Sequence, residues 1–293
     1  EAMTLLKGAK RPLVITGTGI LWSGAMAELK EFVEASGIPF FTTPQGRGVI
    51  EEDHALSFLG ARNRAWKEAD VVLVVGTRFN FILGFGLPPR FAENVKFIQI
   101  DIEDAEIGRN RPIDVGIVGD AKTVLRQLIN QGADGIKVPA DWIEALKGYD
   151  QRSQAKTEEL MNSNTSPMHP LQLCKEVRDF MDRDAIVVVD GHEILNFARQ
   201  SVPTNAPGHR VNAGPNGCMG VASAFGLGAK VAKPNTQVIV LSGDGSFGMN
   251  GMEIDTMVRH NIPAIIVISN NGGWAGQGVM TAGRDLGFSR YDE

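Results

Sequence analysis

Short β-branched and aliphatic runs alternate with amphipathic stretches along the chain, a pattern of strands exchanging with helices. Residues 12–16, 38–42, 71–75, 95–101 and 116–118 read as strands, 23–35 and 121–129 as helices, and 17–19 as a turn. From about residue 132 to 170 the pattern changes: a polar helix over 141–160 runs into Asn162-Ser163-Asn164-Thr165-Ser166-Pro167, a linker by composition. A second α/β unit follows, with helices over 171–181, 219–232 and 250–260 and strands over 185–190, 238–241 and 263–269. The predicted fold class is α/β: two doubly wound parallel-sheet domains, 1–135 and 171–293, joined by a helix-bearing linker over 136–170. No repeat of short period is visible.

Length and composition narrow the function. A chain of 293 residues suits two domains. A formal net charge of −5 and a pI near 5.6 argue against a nucleic-acid footprint. No apolar run approaches the roughly 20 residues needed to cross a bilayer, so no membrane partner is expected. Glu1-Ala2-Met3 has no signal-peptide pattern. Cys174 and Cys218 are isolated, which indicates neither a disulfide framework nor a CxxC metal site and fits a cytoplasmic compartment. Ser246 lies outside any GxSxG elbow and His260 has no visible acid partner, so a hydrolase triad is not indicated.

The chemistry concentrates near the end. Gly243-Asp244-Gly245-Ser246 follows one apolar strand, and Asn270-Asn271-Gly272-Gly273 follows the next, with Asp244 and Asn271 27 positions apart. That spacing holds one helix and one return strand, and the right-handed crossover brings both strand ends to one edge of the sheet. A lone Gly-Asp-Gly is explained by a strand-to-helix turn with Asp as cap. A second set of oxygen donors at the same edge is not. A carboxylate, a carboxamide and carbonyls freed by glycine suit Mg²⁺ or Ca²⁺, and magnesium typically adds phosphate oxygens to few protein ligands. The helix opened by Gly245 and Ser246 favours phosphate. The expected ligand is a metal-diphosphate.

Gly243 to Ser246 with Asn270-Asn271 resembles the signature of enzymes dependent on thiamine diphosphate. The resemblance implies that Asp244, Asn271 and the carbonyl of Gly273 hold the metal, Mg²⁺, bridging the diphosphate. Asn216-Gly217-Cys218-Met219-Gly220 resembles the segment that places an apolar side chain, here Met219, beneath the cofactor, with the Gly217 carbonyl on its aminopyrimidine. Asp190-Gly191-His192-Glu193-Ile194 resembles the turn whose amides cradle the diphosphate. Trp274 and Gln277, in the glycine-rich stretch 272–281, are implied to border the cofactor and substrate.

The first domain offers weaker signals. Gly17-Thr18-Gly19 follows a strand, but Trp22 occupies the third position of a GxGxxG fingerprint. Asp101 ends a strand, where it could bind a ribose or cap a turn. Arg47, Arg78 and Arg90 lie in loops at strand ends; they could meet CoA phosphates, though such residues usually form a solvated surface. Gly76-Thr77-Arg78-Phe79-Asn80-Phe81-Ile82-Leu83 and Phe85-Gly86-Leu87-Pro88-Pro89-Arg90-Phe91 most resemble the middle domain of 2-hydroxyacyl-CoA lyases, relatives of the oxalyl-CoA decarboxylases; acetolactate synthases are similar but match this loop less well. The resemblance implies a lyase releasing formyl-CoA and an aldehyde or ketone from an acyl-CoA substrate, an ADP or CoA moiety in the middle domain, and a homodimer or homotetramer. A decarboxylase of oxalyl-CoA or 2-keto acids is the alternative within the superfamily. The family also has an N-terminal domain with an activating glutamate, and its members continue past the equivalent of Glu293. The chain as written is therefore expected to be a fragment, and a cofactor-binding piece inactive without that pyrimidine-binding domain is the alternative of another class.

Overall fold

The computed structural model describes residues 1–273. The chain divides into two compact units, Glu1–Lys156 with Asn205–Gly208, and Thr157–Thr204 with His209–Glu293. In the first unit β1 (Pro12–Thr16), β2 (Phe40–Thr42), β3 (Val71–Val75), β4 (Lys96–Asp101) and β5 (Val115–Val118) form a parallel sheet in the order β2-β1-β3-β4-β5. In the second, β6 (Ile186–Asp190), β7 (Arg210–Val211), β8 (Val238–Gly243) and β9 (Ile265–Ser269) form a parallel sheet in the order β7-β6-β8-β9.

Both sheets are covered on two faces. In β1, Val14 joins one buried cluster while Leu13 and Ile15 join the other. In β6, Val187 and Val189 face one cluster and Ile186 and Val188 the opposite one. Successive strand side chains point to opposite faces, so a strand with helices on both sides must be apolar throughout. That is why Val-Val-Leu-Val-Val in β3 and Ile-Val-Val-Val in β6 are unbroken, and the doubly wound α/β architecture follows from it.

Several elements depart from the sequence expectation. The helix expected over 23–35 runs Met26–Ser36, and a short helix, Gly19–Ser23, precedes it, ended by Gly24 at a left-handed φ of +63°. The glycine-rich helix begins only at Ala222, since Gly217 and Gly220, at φ +64° and +89°, hold Met219 in a loop before it. Asp190 is followed by a further helix, Glu193–Ser201, and the helix expected over 250–260 is preceded by another, Asp244–Asn250. The polar helix runs Ala140–Met161, and the division between units falls inside it, between Lys156 and Thr157. Its early turns bury Trp142 and Leu146 in the first core, while near its end Glu158 pairs with Arg178 at 2.7 Å.

Candidate functional site

The site forms at the carboxyl ends of β6, β8 and β9. Asp190 is in register with Ser242, and Gly243 with Ser269, so the three following turns leave one edge of the sheet. Open parallel sheets bind ligands at that edge. The turn after β6 brings Gly191, His192, Glu193 and Ile194 to a single open cleft of about 290 Å³. Gly243, Asp244, Gly245 and Ser246 reach it from β8, Ser269, Asn271 and Gly273 from β9, and Met219 from the loop before the Ala222–Ala232 helix. Gly217 is exposed and is not among the residues lining this cleft. Trp274 and Gln277 lie outside the described residues.

The two glycine turns meet backbone to backbone. Gly191 has φ +108°, and a Cβ there would stand 3.2 Å from the amide nitrogen of Gly243. Only glycine takes that conformation at little cost. Across the cleft, Gly273 N–H donates to Asp244 Oδ2 at 3.1 Å, and Asn271 Nδ2 donates to Glu193 Oε2 at 2.9 Å. The two carboxamides after β9 differ in use: Asn270 Oδ1 accepts from Gly272 N–H at 3.0 Å within the turn, whereas Asn271 lines the cleft.

Sequence reasoning assigned no separate role to Asp190, which proves to organise one wall. It is buried; Oδ1 accepts from Gly191 N–H at 2.6 Å, and Oδ2 from the amides of Gly220, Val221 and Ala222 at 2.8, 2.8 and 3.1 Å. One carboxylate thus caps the Ala222–Ala232 helix, which begins three positions beyond Met219, and ties it to the Gly191 turn. An acidic residue closing an otherwise apolar strand immediately before glycine was the available signal.

A metal-diphosphate suits this donor set. Ser246 is 3% exposed, and its Oγ has no hydrogen-bond partner among the described residues. A buried hydroxyl at a cleft wall normally meets a polar group. No cluster of three His, Cys, Asp or Glu able to hold a metal occurs among the described residues. A cation at Asp244 and Asn271 therefore needs carbonyl and phosphate oxygens to complete its shell.

In the first unit, the turn after β1 is packed on that after β3: a Cβ at Gly19 would lie 2.5 Å from the Cα of Gly76. Asp101 Oδ1 accepts from Glu103 N–H at 3.0 Å, a turn-capping contact. Arg78 is exposed, 3.9 Å from Glu106, and Arg90 is exposed and donates to the Ile82 carbonyl at 2.9 Å. Arg47 corrects the expectation of a solvated side chain: it is 6% exposed and paired with buried Glu52. Its loop folds under rather than outward, and burying a guanidinium requires such a partner.

No helix among the described residues is long and apolar enough to cross a membrane. The family model described as "Thiamine pyrophosphate enzyme, central domain" matches residues 1–128, and that described as "Thiamine pyrophosphate enzyme, C-terminal TPP binding domain" matches 194–286. The chain is 37% identical to 2-hydroxyacyl-CoA lyase 1 of Mus musculus over 93% of its own length and 48% of that protein. It is 36% identical to oxalyl-CoA decarboxylase of Escherichia coli (strain K12) over 100% of its length and 54% of the relative. Against a probable acetolactate synthase of Mycobacterium bovis it is 36% identical, covering 94% and 49% of the two chains. It spans about half the length of these relatives. With both family models aligned on a chain whose second sheet edge gathers these oxygen donors, this protein belongs to the thiamine pyrophosphate enzyme family.

Proposed function

We propose that this chain supplies the middle (1–135) and diphosphate-binding (171–293) parts of a thiamine diphosphate- and Mg²⁺-dependent carbon–carbon lyase. Its substrate would be a 2-hydroxyacyl-CoA, cleaved to formyl-CoA and an aldehyde or ketone. The observation that carries the cofactor half of this reading is the convergence of Asp244, Asn271 and Gly273 with the Gly191–Ile194 turn on one cleft. Asp244, the Asn271 amide oxygen and the Gly273 carbonyl would hold the cation. The Ser246 hydroxyl and the main-chain amides of the two glycine turns would hold the diphosphate, Met219 would support the rings, and the Gly217 carbonyl would receive the aminopyrimidine. When bound, the cofactor supplies the electron sink for breaking a carbon–carbon bond.

Position and charge are what the chain itself adds. The Asp190 carboxylate braces the loop carrying Met219 against the Gly191 turn. The Gly191–Gly243 approach keeps side chains out of the space between the turns. The similarity to lyase, decarboxylase and synthase is nearly equal, at 37%, 36% and 36% identity. The lyase reading therefore rests on the segment after β3, where Phe81, Phe85 and Leu87 are exposed and would suit the apolar part of an acyl-CoA. The same unit would receive the ADP portion of CoA, and the active enzyme would be a homodimer or homotetramer.

The test uses the full-length protein with thiamine diphosphate, Mg²⁺ and a 2-hydroxyacyl-CoA. Formyl-CoA and an aldehyde or ketone are expected by chromatography. Asp244→Ala should weaken Mg²⁺-dependent cofactor binding by more than the ten- to hundredfold that loss of an outer partner costs. Carbon dioxide from oxalyl-CoA would reassign the enzyme as a decarboxylase, and failure to bind the cofactor would overturn the reading.

A further inference from the structure

We infer that Glu193 is a positioning residue for the metal site: its carboxylate fixes which end of the Asn271 carboxamide faces the cation. The inference rests on the cofactor reading above. A carboxamide is nearly symmetrical in shape, but only its oxygen can ligate a hard cation. Turned over, Asn271 would present its NH₂ group and repel the ion. Glu193 removes that freedom. An ionised carboxylate only accepts hydrogen bonds, so the Asn271 atom facing Glu193 Oε2 at 2.9 Å must be Nδ2. The amide oxygen then lies on the opposite branch of the side chain, away from Glu193, in a residue that lines the cleft together with Asp244.

Position in the fold supports this role. Glu193 is the first residue of the Glu193–Ser201 helix, entered through Gly191 at φ +108°. A negative charge is favourable in the first turn of a helix, which offsets the cost of keeping a carboxylate beside a diphosphate. Asn271 follows β9 and Glu193 follows β6, strands separated in the sheet by β8. The contact therefore links the turns on either side of β8. Partners that orient a metal ligand in this way are worth ten- to hundredfold in metal affinity.

The experiment titrates Mg²⁺ into the full-length protein at fixed thiamine diphosphate, with cofactor binding read by calorimetry and thermal unfolding of the metal-free protein measured in parallel. Glu193→Ala should raise the half-saturating Mg²⁺ concentration ten- to hundredfold while leaving metal-free unfolding close to wild type. Glu193→Gln, which still offers an acceptor oxygen, should restore most of the affinity. An equal loss in both variants would make the charge itself the working part and overturn the positioning role, as would unchanged affinity in Glu193→Ala. A wild-type protein that binds no cofactor in the presence of Mg²⁺ would instead sink the underlying reading. Should Glu193→Ala not fold, Glu193→Gln is compared with wild type in an Asn271→Asp background. A carboxylate at 271 has no nitrogen end to orient, so Glu193→Gln there should leave the half-saturating Mg²⁺ concentration close to that of the Asn271→Asp protein; a rise of about tenfold or more would show that the Glu193 charge acts on the ion directly and would overturn the positioning role.

Discussion

Replacing Asp190 tests how the fold holds the site's upper wall. The carboxylate serves four main-chain donors at 2.6–3.1 Å. A hydrogen bond to a charged group contributes about 1.5–3 kcal/mol. Three of the donors share Oδ2, so their contributions do not add. One full bond per oxygen, with the cap of the Ala222–Ala232 helix included, puts the cost of Asp190→Ala near 4 kcal/mol. Asp190→Asn separates charge from geometry. With three donors on one side and one on the other, the amide oxygen turns to the helix and the NH₂ group opposes Gly191 N–H. That loses one bond and the charge at the helix start, about 2 kcal/mol in all. Because the two units need not unfold together, the suitable assay is hydrogen exchange at the amides of residues 220–222. Exchange there should accelerate roughly thirtyfold in Asp190→Asn and roughly a thousandfold in Asp190→Ala. Rates in Asp190→Ala equal to wild type would show that the carboxylate does not hold the Met219 loop.

Two further outcomes follow from packing and burial. A Cβ at Gly226 would stand 2.3 Å from Val240 Cγ2, so Gly226→Ala should lower the stability of the second unit by about 1–3 kcal/mol, and adding Val240→Ala should recover part of it in thermal melts. Additive losses would show that the contact is not the cause. Burial pushes the Cys174 thiol up to about 11. The native chain keeps this proton where the unfolded chain, titrating near 8.5, has released it. The contribution is complete below pH 8.5 and is lost as pH rises to about 11, amounting to roughly 3 kcal/mol. Denaturant melts from pH 8 to 10.5 should therefore fall more steeply for wild type than for Cys174→Ala, and parallel curves would contradict the burial argument.

Most strands were legible because their signal is local. β3 occupies residues 71–75 as expected, and β6 and β8 lie within one or two residues of their expected spans. An unbroken aliphatic run of that length has few other uses. Helix ends were less legible. Gly24 and Gly220 adopt left-handed conformations, which a glycine permits but does not announce. The Glu193–Ser201 helix was hidden because its first turn looks like a cofactor loop by composition. Arg47 was misjudged because a charged residue in a loop is ordinarily solvated, and nothing local to it reveals that Glu52 is buried beside it.

By itself the sequence determined the alternation of strands and helices and the presence of two oxygen-donor sets at successive strand ends. Both are encoded in neighbouring residues, through side-chain period and the conformational range of glycine. Only the tertiary structure decided that Asp190 clamps the Met219 loop, that Glu193 faces Asn271 from two strands away, and that Gly191 approaches Gly243 without room for larger side chains. Those contacts join residues 30 to 78 positions apart, and their geometry depends on strand register and crossover, which no local pattern of side chains specifies.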